Sequence, residues 1–155
     1  LSKLSGFVPD VIDSNEDGME IVMKYLEGPQ VKEILDKSNK QKRDKIMENL
    51  GENVGKMHIL DVVHGDLTTS NMILIGDQVK LIDFGLAFVT DEIEHKAVDI
   101  HLLKQALESK HYRHYEELLA SFLIGYKKYN SAYEDVIKRL EIVEKRGRYK
   151  RRMGS

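Results

Sequence analysis

The sequence predicts an α+β fold, with strands near its start and helices over most of the rest. Short apolar runs punctuated by turn residues occupy roughly the first 30 residues. Two further runs, residues 72–75 and 79–82, flank Gly76-Asp77-Gln78 and read as a β-hairpin. Beyond Gly85 the rest of the chain reads as helical, with apolar residues at helical spacing. A length of 155 residues suits one domain, and 41% hydrophobic with 32% charged residues supports a packed core and excludes wholesale disorder.

Taken in order, Phe7-Val8-Pro9 and Val11-Ile12-Asp13 approach as a strand, broken by the turn-rich residues 13–18. Residues 19–26 form a second strand, stopped by Glu27-Gly28-Pro29. A short helix over 31–36 puts Val31, Ile34 and Leu35 on one face, and residues 37–42 read as a charged loop. A longer helix over 43–58 carries Ile46, Leu50, Val54 and Met57, while Gly51 and Gly55 lower its propensity but permit close packing. Val62-Val63 then enters the polar stretch 64–71, ahead of the hairpin. Three more helices follow, around Val98 to Leu107, around Leu118 to Tyr126, and after Ser131, which with Glu134 forms a capping box. Val136, Ile137, Leu140 and Val143 line the inner face of the last.

Composition narrows the function. Zero Cys excludes a disulfide scaffold and thiolate zinc sites and fits a reducing, cytoplasmic compartment. The longest apolar stretch, residues 118–126, is far short of the roughly 20 residues of a membrane-spanning helix, so no membrane partner is expected. A net charge of −2 argues against a uniformly basic nucleic-acid binder. Yet residues 141–155 carry +4 and the rest −6, an acidic body with a basic end. The plainest reading of that end is a solvated, frayed helix.

The hairpin is the most informative feature. Facing Ile75 with Val79 across a three-residue turn brings Asn71 opposite Asp83 at the open end, about 5 Å apart at Cα. Asp66, five residues before Asn71 on the same loop, reaches the same cleft. Singly, each is an ordinary turn former or cap. Together they make a three-point site, with one carboxylate to orient a nucleophile and two oxygen ligands suited to Mg²⁺ on a phosphate chain.

His64-Gly65-Asp66 with Asn71, then Asp83-Phe84-Gly85, resembles the catalytic loop and metal motif of the protein-kinase superfamily. The string from His64 to Asn71 is narrower, and is similar to the small atypical kinase and ATPase of the KEOPS complex in an archaeal-looking form. So are residues 21–28, Lys96-Ala97-Val98-Asp99-Ile100 and the ending 146–154. The resemblance spans nearly the whole chain. It implies a kinase-like fold: the end of a small lobe and hinge over 1–29, a mainly helical large lobe with a catalytic hairpin over 30–144, and a basic C-terminal tail over 145–155. A chain beginning at Leu1 would be explained by fusion to the partner enzyme, as in some archaea.

The resemblance also implies roles. Asp66 takes the place of the catalytic base, and Asn71 and Asp83 those of the metal ligands. Met23, Lys24, Tyr25 and Leu26 match the hinge that meets adenine, and Ile73 the apolar residue beneath it, although Ile73 equally suits an ordinary core position. Asp99 matches a helical Asp that braces the catalytic loop, and Phe84 a packing residue. ATP and Mg²⁺ are the implied cofactors. The partners are the threonylcarbamoyl-transferase subunit of KEOPS and tRNA, met through Arg146, Arg148, Lys150, Arg151 and Arg152. Of the 6 His, only His64 lies in the motif and is read as ordering the loop; His95, His101, His111 and His114 are read as surface residues and His58 as a helix end.

The departures weigh as much. Gly65 stands where regulated kinases carry Arg, and Thr68 where a Lys would contact the transferring phosphate. Only 13 residues separate Gly85 from Asp99, too few for a peptide-docking activation segment. No Gly-rich loop and no strand Lys with a helix Glu precede residue 20, so half of the phosphate clamp is missing from this chain. The expectation is therefore an Mg-ATP-dependent atypical serine kinase or ATPase serving tRNA threonylcarbamoyladenosine synthesis, with this chain alone inactive. Two alternatives stay open: a non-catalytic docking or tRNA-binding module, and a small-molecule kinase of the aminoglycoside or choline type. Asp-Phe-Gly and the short helical remainder weigh against the latter.

Overall fold

A computed structural model describes residues 4–154; residues 1–3 and 155, the outer ends of the first and last expected segments, lie outside the described residues. Strands β1 (Val11–Asn15) and β2 (Glu20–Met23) form an antiparallel hairpin. Helices α1 (Val31–Ile34) and α2 (Lys40–Ile59) follow, then strand β3 (Val62–Val63) and a 3₁₀ turn, Thr69–Asn71. Strands β4 (Met72–Ile75) and β5 (Gln78–Leu81) make the second hairpin, and β6 (Phe88–Val89) pairs back with β3. Helices α3 (Ile93–Lys110), α4 (Tyr115–Tyr129) and α5 (Tyr133–Met153) complete the chain.

The core forms where α2 lies along α4 and α3 along α5. Ile46, Leu50, Val54 and Met57 of α2 are buried as their spacing predicts, against Phe122 and Tyr126 of α4. Glycine sets the closeness of that pair. A Cβ on Gly51 would collide with the Phe122 carbonyl, and one on Gly125 with the Glu48 carbonyl, so the two helices touch backbone to backbone. Leu4, Phe7 and Val8 cover the second hairpin, with Leu81 N–H bonded to the Phe7 carbonyl at 2.8 Å.

The elements differ from expectation where a side chain or turn decides the boundary. Asn39 accepts a hydrogen bond from Lys42 N–H at 2.9 Å, so α2 starts at Lys40 and takes in residues expected to be loop. Strand β1 runs through the predicted break to Asn15, and β2 ends early, at Met23, after Lys24 N–H reaches the Asp10 carbonyl at 2.8 Å. The expected Ser131 capping box is absent. Ala132 stands at the helix start, and its N–H bonds to the Asn130 side chain at 2.9 Å. The basic segment is continuous with α5 as far as Met153.

The hairpin register also differs by one. Ile75 pairs with Gln78 and Met72 with Leu81, because the turn has two residues, with Gly76 at the positive φ of 60° that so tight a turn demands. Asn71 is therefore level with Ile82, whose N–H donates to the Asn71 carbonyl at 3.0 Å. Asp83 lies one residue beyond and leaves the strand at a φ of 59°.

Gly125→Ala should destabilise the protein by about 1–3 kcal/mol, since the obstructing atom belongs to backbone and cannot rotate away. Gly147→Ala on α5 should instead stabilise by up to about 1 kcal/mol, as helix propensity gains and the nearest atom to the new Cβ is His101 Nε2 at 3.8 Å. Urea unfolding of the two variants reads the opposite signs.

Candidate active site

The loop after β3 is fixed from below by Asp99, on α3 and 1% exposed. Its Oδ2 accepts from His64 N–H at 2.8 Å and its Oδ1 from Gly65 N–H at 3.0 Å. Oδ2 also lies 3.0 Å from His58 Nε2, while His58 Nδ1 lies 2.9 Å from the Tyr126 hydroxyl, which also accepts from Asn130 Nδ2 at 2.7 Å. Burial alone would raise the Asp99 pKa. The hydrogen bond and charge of His58, with the two backbone donors, outweigh it and hold the carboxyl below the ordinary aspartate range. His58 sits in the last turn of α2, as expected of a helix-end residue, and is there a fully buried bridge, while Asp99 braces the loop as the resemblance implied. Gly65 has a φ of 83°, and a Cβ there would collide with the Leu86 carbonyl, so the place of the kinase Arg has no room for a side chain.

His64 then ties the loop to the second hairpin. Its Nδ1 accepts from Asp66 N–H at 3.2 Å, which leaves Nε2 to donate to the Ile82 carbonyl at 2.9 Å. Its ring packs on Phe84, with centroids 4.8 Å apart. Asn71 donates from Nδ2 to both the Asp66 carbonyl and Asp66 Oδ2, each at 2.9 Å. With the amide nitrogen committed to Asp66, Asn71 keeps its oxygen as an acceptor. Asp83 is exposed, and among the described residues its Oδ1 meets only Gly85 N–H, at 3.4 Å.

This donor set fits Mg²⁺: one carboxylate and one amide oxygen, with other positions left for water and phosphate oxygens. Among the described residues there is no cluster of three or more His, Cys, Asp or Glu that would make a closed all-protein cage. Beside Asp83 opens an apolar cavity of about 450 Å³, lined among others by Met23, Ile21, Val62, Phe84 and Phe88. Met23 therefore shares a cavity with Asp83. Ile73 is buried next to Gly28 and Gln30 and does not line that cavity. The N–H of Lys24 is taken by Asp10, Tyr25 is exposed and Leu26 is half-buried.

The basic residues gather elsewhere. Arg146 pairs with Glu94 of α3, and Arg148 and Arg151 line a cavity of about 150 Å³ between α3 and α5 with His101, Lys104 and Glu144. Lys150 and Arg152 are exposed on the last turns of α5. Two further histidines depart from the surface positions expected of them. His111 is 2% exposed and paired with Asp36 and Thr69. His101 is half-buried, and burial pushes its pKa down. Neither lies in a motif. The one local signal was the place of His111 at the end of a helical run.

Residues 5–136 match the protein kinase domain. The KEOPS complex subunit Bud32 of Pyrococcus abyssi is 43% identical over 147 residues, covering 94% of this chain and 67% of that protein. A probable bifunctional tRNA threonylcarbamoyladenosine biosynthesis protein of Methanosarcina mazei is 40% identical over 92% of this chain, and one of Methanosarcina barkeri 38% identical over 96%. The chain spans only 24% and 26% of the length of those two relatives. In structure it superposes with a TM-score of 0.62 on WaaP in complex with acyl carrier protein, over 92% of this chain and 69% of that one. At 14% identity that likeness concerns the fold alone. The chain belongs to the protein kinase family, in the branch of the KEOPS subunit Bud32 and its bifunctional archaeal relatives. No helix among the described residues is long and apolar enough to cross a membrane.

Because the Asp99 pKa is depressed on folding, its contribution to stability is present above about pH 4 and lost as pH falls through the lower folded value. Asp99→Asn should cost about 1–3 kcal/mol near neutral pH and lose less than the wild type on acidification. Urea titrations at neutral and acid pH measure both effects.

Proposed function

We propose that this chain forms the catalytic part of an Mg-ATP-dependent atypical serine kinase or ATPase serving tRNA threonylcarbamoyladenosine synthesis. The observation that carries the reading is the Asn71 amide gripping Asp66 twice while Asp83 stands exposed at the end of the same hairpin. Asp66 Oδ2 is occupied by Asn71, which leaves Oδ1 to accept a proton from a serine hydroxyl or water. Asn71 Oδ1 and the Asp83 carboxylate would hold Mg²⁺, which supplies charge neutralisation on the phosphates when bound. Met23, with Lys24, Tyr25, Leu26 and Ile73, would shape the adenine end. Thr68 adds no charge at the transferring phosphate, so positioning does most of the work.

The organisation that goes with this reading is a small-lobe remnant and hinge over 1–29, a large lobe over 30–144 and a basic tail over 145–155. A cytoplasmic place beside a threonylcarbamoyl-transferase subunit, fused or separate, with tRNA met through the tail, goes with this reading; what supports it is that the relatives are named for the KEOPS complex and for tRNA threonylcarbamoyladenosine biosynthesis. A second reading, a docking module without catalysis, is favoured by one observation. Both strands of the first hairpin are exposed along their whole length, as a surface awaiting a neighbour would be.

Asp83→Ala in the complete protein should reduce Mg-dependent ATP turnover by at least about 100-fold with unfolding unchanged. Wild-type turnover in that variant would remove Asp83 from the site. Asp66→Asn should lower turnover by about 100- to 10,000-fold while calorimetry still shows nucleotide binding. Loss of binding as well would reassign Asp66. Under the docking reading neither substitution changes the activity of the assembly.

A further inference from the structure

The turn that carries Asn71 is held by a second buried polar chain, separate from Asp99. Thr69 opens the 3₁₀ turn and is fully buried, with Oγ1 at 3.0 Å from His111 Nε2. His111 closes α3, and its Nδ1 lies 3.0 Å from Asp36 Oδ2, just beyond α1. An ionised carboxylate only accepts, so Nδ1 carries a proton toward Asp36. In the neutral imidazole, Nε2 then accepts the hydroxyl proton of Thr69. The order Asp, His, hydroxyl is that of a nucleophile triad, but Thr69 has 0% exposure and meets no substrate.

The turn has little to hold it by itself. It is three residues long, and Thr68 before it makes no side-chain cap. Its next residue is also gripped from outside: Lys110 Nζ donates to Ser70 Oγ at 2.9 Å, and Gln30 Nε2 to the Ser70 carbonyl at 3.3 Å. Asn71 follows directly and grips Asp66.

We propose that Asp36, His111 and Thr69 form a positioning relay that fixes the turn carrying Asn71 and, through the Asn71 amide, the orientation of the Asp66 carboxylate. Asp36 sets the His111 tautomer, His111 sets the Thr69 hydroxyl, and Thr69 anchors the turn two residues before Asn71. The relay draws on α1 and α3, so the ends of both helices bear on one loop. Its bearing on catalysis rests on the kinase or ATPase reading above; its effect on the order of the loop does not.

Thr69→Val removes the hydroxyl at constant shape, Thr69→Ser keeps it, and Asp36→Asn acts on the half-exposed end of the relay, where folding is least at risk. In the complete protein, amide hydrogen exchange over residues 66–71 should quicken about tenfold in Thr69→Val, and in the same direction in Asp36→Asn. Exchange in the β4–β5 hairpin should hold, and Thr69→Ser should match the wild type. Turnover number should fall roughly 10- to 100-fold in Thr69→Val, the Mg²⁺ concentration for half-maximal rate should rise, and Ser should restore both. Unchanged exchange in both Thr69→Val and Asp36→Asn overturns the relay. Faster exchange with unchanged turnover and Mg²⁺ dependence also overturns it, leaving a stabilising contact only. If Thr69→Val does not fold, Asp36→Asn carries the same readings. If the wild type itself turns over no ATP, the kinase reading fails, and the exchange data alone decide whether the relay fixes the loop.

Discussion

Asp99 takes the N–H groups of His64 and Gly65 on its two oxygens, from inside the molecule. A buried carboxylate survives only when its lone pairs are filled, and the remaining partner here is His58, supported by Tyr126 and Asn130. That arrangement requires α2 and α4 to approach until backbone meets backbone, which the glycines at 51 and 125 allow. A packing decision between two helices thus reaches the loop through four side chains. Breaking any link leaves an unpaired polar group in the core, so the geometry of the loop and the stability of the fold are the same property.

The second hairpin supplies the other half of the frame. His64 joins the loop to the Ile82 carbonyl, and Ile82 N–H joins back to Asn71. The loop and Ile82, the residue that follows β5, are therefore laced at two points, one through a side chain and one through backbone. Asp83 emerges just past this lacing with a positive φ, where neither strand pairing nor burial holds its carboxylate. Rigid support ending abruptly at an exposed anionic group is suited to meeting a bound cation.

Much of this was readable in the chain. Strands β1, β2, β4 and β5, the helical periodicity and the reach of Asp66 toward Asn71 follow from spacing alone, whereas β6 falls in a stretch expected to be helical. The hairpin register did not, because Gly76-Asp77 closes as a two-residue turn and nothing in the apolar pattern distinguishes that from three. The start of α2 was missed because Asn39 resembles any loop residue until its side chain is seen to cap. The polar interior was least legible. His58 and His111 are buried by partners 41 and 75 positions away, Asp99 and Asp36, and no local pattern encodes such pairs. Ile73 is buried, and its backbone bridge to Gln30 is another long-range pairing that no local pattern announces.

The first hairpin has Ile12 at 67%, Ile21 at 55% and Val22 at 50% exposure, on strands with no third strand beside them among the described residues. Such edges pair with whatever extended chain arrives first. Kept apart from a neighbour that covers it, the polypeptide faces a race between specific assembly and indiscriminate strand pairing. Both steps depend on concentration, whereas the packing of the helical core does not. A rise in melting temperature gained within the helices would leave that hairpin just as exposed.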